Sequence, residues 1–230
     1  MPTSPEALYA ALVSTAPSRP FVTFYDEAGG ERTELSVRSL ANWVAKTHFL
    51  LTDELGLGVG DSAHVDLPVH WIAVPVLLGC WTAGLEVRTD PNGAAVAFVA
   101  GSAPTGPADT YAVALESAAR GFGTAPPPGT SDYVASVRPQ PDVWTTVHSP
   151  ASPGDPALDG ASRADVVVRA KARAAELDLD AGARILTTRD DWLDALLVPL
   201  AIGGSVVIVR NAEPDVVARR AEQERVSRLL

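Results

Sequence analysis

Residues 55–91 read LGLGVGDSAHVDLPVHWIAVPVLLGCWTAGLEVRTDP. Gly56 and Gly58 fit the end of a helix, where the left-handed backbone costs glycine nothing. AHVDLP (63–68) is a short strand closed by a proline that cannot donate to a ladder. Residues 70–82 are almost unbroken in their apolar character, which marks a buried helix, and Gly84 stops it. LEVRTDP (85–91) then forms a second strand and a turn. Strand, apolar helix, strand is a βαβ unit, and its strands run parallel.

The pattern repeats on both sides. Residues 5–14 place Leu8, Ala11 and Leu12 on one helical face, and FVTFYD (21–26) is a strand. Ala28-Gly29-Gly30 turns the chain and residues 33–35 begin the return. Ser36 caps a helix over 37–55 with Leu40, Trp43, Val44, Thr47 and Leu51 at helical spacing. AVAFVAG (95–101) and YAVALES (111–117) are further short strands. Segment 118–160 is rich in Pro, Gly, Ser and Ala and reads mostly as loop, with one helical turn near Tyr133–Val137. Beyond it come a helix over 163–177, a strand over 183–189, a helix over 191–201, a strand over 205–210 and a helix over 214–228. The sequence therefore predicts an α/β fold of mostly parallel sheet flanked by helices. It is read as one domain, with 118–160 either joining lobes 1–117 and 161–230 or making a long surface excursion.

The bulk properties narrow the partners. The 230 residues are 47% apolar and 20% charged, enough to build a core. A net charge of −10 argues against a nucleic-acid backbone or an anionic membrane. The abundance of Ala, Val and Gly points to a GC-rich, actinobacterial type of genome. The apolar stretches 71–85 and 193–209 are interrupted by Pro75 and by Gly203-Gly204, so neither spans a membrane. Residues 1–20 lack a basic start followed by an apolar core. Cys80 stands alone, which excludes an intramolecular disulfide and fits a reducing cytoplasm. Within its apolar run it reads as a buried hydrophobe, not a nucleophile.

The 55–91 stretch resembles the adenylate-forming superfamily of acyl-CoA synthetases, luciferases and adenylation domains. The matching positions are Gly58, Val59, Gly60, Asp61 and Val65, then Leu67-Pro68, Ala83-Gly84 and Asp90-Pro91. Glu34 and Leu35 fall where the family's Leu-Thr-Tyr-x-Glu-Leu lead-in would place them, without its tyrosine. LDLDAGARILTTRDDWLDALLVPLAIGGSVVIVRN (177–211) is similar to the later strand, helix, Gly-Gly turn and Val-rich strand of that family. The resemblance implies the first part of the family's large domain.

It also implies what adenylation would need. Joining a carboxylate to the α-phosphate of ATP gathers negative charge that N–H groups, cations and a metal must meet. The family supplies a Ser/Thr/Gly-rich loop ending in Pro-Lys-Gly, a later acidic metal ligand, a ribose-binding Asp and a lysine on a mobile C-terminal lobe. Here the corresponding stretch is HSPASPGDPALDGASRAD (148–165). Either 149–157 is the loop remnant, or 154–158 matches the preceding strand and the loop shrinks to 159–165. In both placements no lysine is present, prolines replace N–H donors, and Asp155, Asp159 and Asp165 repel phosphate. The later motifs have no counterpart in the 230 residues. The chain is therefore expected not to be an adenylating enzyme, with no cofactor, no metal and no catalytic residue. The weak binding candidates are Ser149, Ser152, Gly154, Ser162 and Arg163.

Other patterns have structural readings. Gly56-x-Gly58-x-Gly60 precedes a strand, the wrong context for a dinucleotide fingerprint. Asp190-Asp191 reads as a helix cap in preference to a metal pair. His70-Trp71 reads as a helix start that packs, although the resemblance puts it beside a substrate lobe. His48, His64, His70 and His148 lack zinc spacing. Arg219, Arg220, Arg225 and Arg228 beside Glu222 and Glu224 read as a solvated face, with Val216, Val217, Ala221 and Leu229 docking the helix. Three functions stay open: a non-catalytic protein binding an unknown protein partner or small molecule, a residual nucleotide- or acyl-binding module, and one half of a split enzyme. A homo-oligomer is compatible with each.

Overall fold

The computed structural model describes residues 2–117, 119–143 and 149–230. Helix α1 (Pro5–Thr15) is capped by Ser4, whose Oγ accepts from the Ala7 N–H. It leads into β1 (Pro20–Asp26), which turns back antiparallel as β2 (Glu31–Ser36). Ser36 then caps α2 (Val37–Phe49) through the Ser39 N–H, and one π turn, Leu50–Glu54, prolongs it.

Next come β3 (Ser62–Asp66), α3 (Ala73–Ala83) and β4 (Glu86–Arg88). Every residue of α3 is buried, as its continuous apolar run requires. Gly84 ends it at φ 93°, and the Leu85 N–H returns to the Cys80 carbonyl at 2.9 Å, closing a Schellman motif. A Cβ at Gly84 would also fall 2.9 Å from Val59 Cγ2.

Strands β5 (Val96–Val99), β6 (Asp109–Ala112) and β7 (Ser131–Asp132) follow. The strand expected over 111–117 stops at Ala112, because Leu115–Ser117 turn as a 3-10 helix. Segment 118–160 contributes β7, α4 (Tyr133–Val137) and β8 (Pro156–Leu158). After β9 (Ala161–Ser162), α5 (Arg163–Glu176) leads to β10 (Arg184–Thr187). A π turn, Leu193–Leu197, precedes α6 (Val198–Ala201), then β11 (Ser205–Arg210) and α7 (Pro214–Gln223).

The expected helix over 214–228 ends early. Arg225 takes a left-handed φ of 51° and the Val226 N–H bonds back to the Ala221 carbonyl, a second Schellman motif. This frees Arg228–Leu229 to pair with β10 as β12. Leu229 is half exposed there and does not dock the helix; Val217 and Ala221 do.

Two sheets result. The first has the order β12-β10-β11-β1-β2, the second β7-β6-β5-β3-β4-β8-β9. All ladders are parallel except β1 with β2 and β8 with β9. Alternate residues of β1 and β11 (Val22 and Phe24, Val206 and Ile208) join α1, α2, α3, α5 and the second sheet in one core. The opposite residues, Tyr25, Val207 and Val209, face α7. A boundary between lobes 1–117 and 161–230 would cut through the first sheet, since β1 and β2 lie beside β11.

Candidate functional site

The register of the first sheet decides what stands at its end. Pairing β1 with β11 in parallel sets Asp26 against Arg210, the last residues of both strands. The second sheet turns the carboxyl ends of β3, β5 and β6 towards the same place. Between them lies a cleft of about 510 Å³. Crevices outside the carboxyl ends of parallel strands are where open α/β sheets bind ligands, and this volume suits a small molecule.

Part of the lining is apolar: Phe24, Val113, Leu115 and Phe122. The rest carries polar groups, each with a traceable origin. Asp26 closes an Asx turn: Oδ1 accepts from the Ala28 and Gly29 N–H groups at 3.0 and 3.4 Å. Asn211 takes a left-handed φ of 53° after β11, which asparagine tolerates, and its Nδ2 donates to the same oxygen at 2.9 Å. The Asn211 bond, then the two backbone donors, hold the Asp26 carboxyl below the usual range against its partial burial.

His70 follows the Leu67-Pro68 break and is 6% exposed. Its ring meets Phe24 at 4.1 Å between centroids. Burial first, and the nearby Arg210 cation second, push its pKa down to about 4, so the imidazole is neutral at pH 7. Nδ1 accepts from the Ile72 N–H at 3.2 Å, which leaves the ring proton on Nε2. Arg210 donates from Nη1 to the Val69 carbonyl at 3.1 Å and to Asp190 Oδ1 at 3.3 Å. Asp190 also accepts from the Val69 N–H. This bridge ties the two sheets and separates the cleft from a smaller cavity of about 250 Å³ beside Trp192 and Arg169. Asp190 and Asp191 therefore diverge: Asp191 alone caps, through the Leu193 N–H at 2.9 Å.

The five candidates from the sequence lie elsewhere, and none lines the large cleft. Ser149, Ser152 and Gly154 share one loop. Ser149 Oγ donates to the Trp81 carbonyl and accepts from the Ala151 N–H. The Ser152 N–H is taken by Asp155 Oδ2 at 2.7 Å, and the Asp155 N–H by the Ser152 carbonyl. Gly154 stands in open space. Ser162 caps α5 through the Asp165 N–H at 3.1 Å. Arg163 is fully buried, bonded to Glu6 at 2.8 Å and to the Trp81 and Leu85 carbonyls at 3.1 Å each. His148 lies outside the described residues. Burial pushes the Cys80 thiol up, which suppresses the thiolate a nucleophile would need. Trp71 packs in the core and donates Nε1 to Glu31 at 2.9 Å.

Of the polar cleft groups, only His70 stands out in the sequence as a candidate ligand contact. Asp26 and Arg210 were legible as strand-end residues of FVTFYD and SVVIVR, but nothing local shows that these strands are neighbours.

No protein-family model matches the chain. A protein of Mycobacterium tuberculosis described as a TIGR03089 family protein is 36% identical over 249 residues, covering 99% of this chain and all of that protein. The fold matches acetoacetyl-CoA synthetase from Streptomyces lividans with a TM-score of 0.76 at 18% identity, over 98% of this chain and 42% of that one. It matches an acyl-CoA synthetase of Brucella canis with a TM-score of 0.76 at 16% identity, over 98% and 46%. A fatty acyl-adenylate ligase from L. pneumophila, solved with acyl adenylate and pyrophosphate, gives 0.70 at 11% identity, over 100% and 44%. The chain thus spans less than half the length of these three enzymes. Among the described residues, no helix is long and apolar enough to cross a membrane.

Proposed function

Because the chain belongs to the TIGR03089 family and carries the fold of the first part of acyl-CoA synthetases, we propose that it is a non-catalytic binding protein built on that fold. It holds a small ligand in the cleft between its sheets and does not adenylate it. The observation that carries this reading is the closed loop 149–155. A phosphate-binding loop must leave backbone N–H groups free for anionic oxygens. Here Ala151, Ser152 and Asp155 spend theirs inside the loop, and Pro150 and Pro153 have none. The anion nearest these donors is the protein's own Asp155. In the 149–157 placement Ala157 or Pro156 stands where the lysine would be needed, in the 159–165 placement no lysine is present either, and Arg163 is locked in the core by Glu6.

The lone buried cysteine and the net charge of −10 support a cytoplasmic protein without nucleic-acid or membrane partners. The test pairs two assays on the whole chain: ATP–pyrophosphate exchange with a panel of carboxylic acids, and thermal shift with ATP and Mg²⁺. Neither exchange nor a shift is expected. ATP-dependent exchange above the no-protein control would overturn the reading.

A further inference from the structure

The cleft's own chemistry narrows its ligand. Two carboxylates border it, Asp26 in the wall and the exposed Glu116 at the mouth. Among the described residues its one lining cation, Arg210, is already shared between Asp190 and the Val69 carbonyl. No lysine reaches it, and His70 is neutral at pH 7. The cleft therefore carries excess negative charge, which favours a cationic guest and disfavours an anionic one.

Among the described residues, Asp26 and His70 each keep an atom with unspent hydrogen-bonding capacity. Asp26 Oδ1 takes all three of that residue's hydrogen bonds, so Oδ2 has none among the described residues. His70 lines the cleft, its Nδ1 is taken by the Ile72 N–H, and no bond to its Nε2–H is formed among the described residues. A guest that supplies an acceptor can take that donor in place of water. The lining residues Phe24, Val113, Leu115 and Phe122 offer hydrocarbon, and the two phenylalanine rings also suit an ammonium group.

Resting on the reading of this cleft as the binding site, we propose that its ligand class is a small amine with an apolar body and an oxygen beside the nitrogen. The ammonium pairs with Asp26 Oδ2. The neighbouring oxygen accepts from His70 Nε2. The hydrocarbon lies along the apolar lining residues.

Three probes of similar size separate the alternatives: phenylalaninol, 3-phenylpropan-1-ol and 3-phenylpropanoate, titrated against the whole chain by calorimetry and thermal shift. Phenylalaninol is expected to bind about tenfold or more tightly than the neutral alcohol, with the carboxylate weakest. Asp26→Asn should abolish that preference. His70→Phe should weaken phenylalaninol and leave the alcohol-to-carboxylate order unchanged. Should Asp26→Asn fail to fold, Glu116→Gln, at an exposed position, should reduce the amine preference, and the wild-type ranking decides by itself. Tighter binding of the carboxylate or the neutral alcohol overturns the amine assignment and leaves the cleft reading standing. Binding of none of the three at millimolar concentration overturns both.

Discussion

Acidification from pH 7 to 5 should destabilise the folded chain through His70. The imidazole titrates near 6.5 when exposed and at about 4 in the fold. Between those values the unfolded chain takes up a proton that the folded chain refuses, so the unfolded state gains. The stabilisation is fully present above 6.5 and is lost as pH falls towards 4, where the total loss amounts to about 3 kcal/mol. At pH 5 the loss relative to pH 7 is about 2 kcal/mol, or about 4–8 °C in melting temperature for a chain of this size. Other groups titrate in the same window, so the informative quantity is a difference. Urea denaturation of wild type and His70→Gln at pH 7, 6 and 5 should show the wild type losing about 2 kcal/mol more than the variant across that range. The same slope in both proteins would refute a neutral, buried His70.

Arg163→Ala should cost about 3–5 kcal/mol in urea denaturation, because it strands Glu6, which is 4% exposed. The double variant Glu6→Gln/Arg163→Met should recover much of that loss, and a cost below about 1 kcal/mol for the single variant would contradict the buried pair. Gly79→Ala places a Cβ 2.5 Å from Thr47 Cγ2, and Thr47 is held by Trp43 and Tyr133, so about 1–3 kcal/mol of overpacking is expected. Unchanged melting of that variant would show that α2 and α3 can separate. Glu224→Gln weakens the bonds to Tyr25 and Arg184 that fasten the end of α7 to the first sheet. Amide hydrogen exchange at 225–230 should then speed up several-fold, with the protection of β5 unchanged.

Much of this molecule was legible in its sequence because the controlling forces are local. Ser36 and Ser162 announce helix starts, since a hydroxyl reaches only its own first turn. Gly84 marks a helix end, since its left-handed φ is a property of one residue. The unbroken apolar run of α3 required burial wherever it packed. The π turn at Leu193–Leu197 and the early end of α7 were not legible. Each depends on what the chain must meet next: Arg225 turns back so that Arg228–Leu229 can reach β10.

The candidate site belongs wholly to the tertiary level. Stretch 149–163, where the resemblance would put a phosphate loop, contains no lysine. Nothing local encodes that Arg163 turns inward to a residue 157 positions away, or that Asp155 fills its own loop. Asp26 and Arg210 are 184 residues apart in the chain and become neighbours only when β1 and β11 pair. Local propensity fixed which elements form. Long-range pairing, which no local pattern encodes, decided which strand ends meet and therefore where a cleft opens.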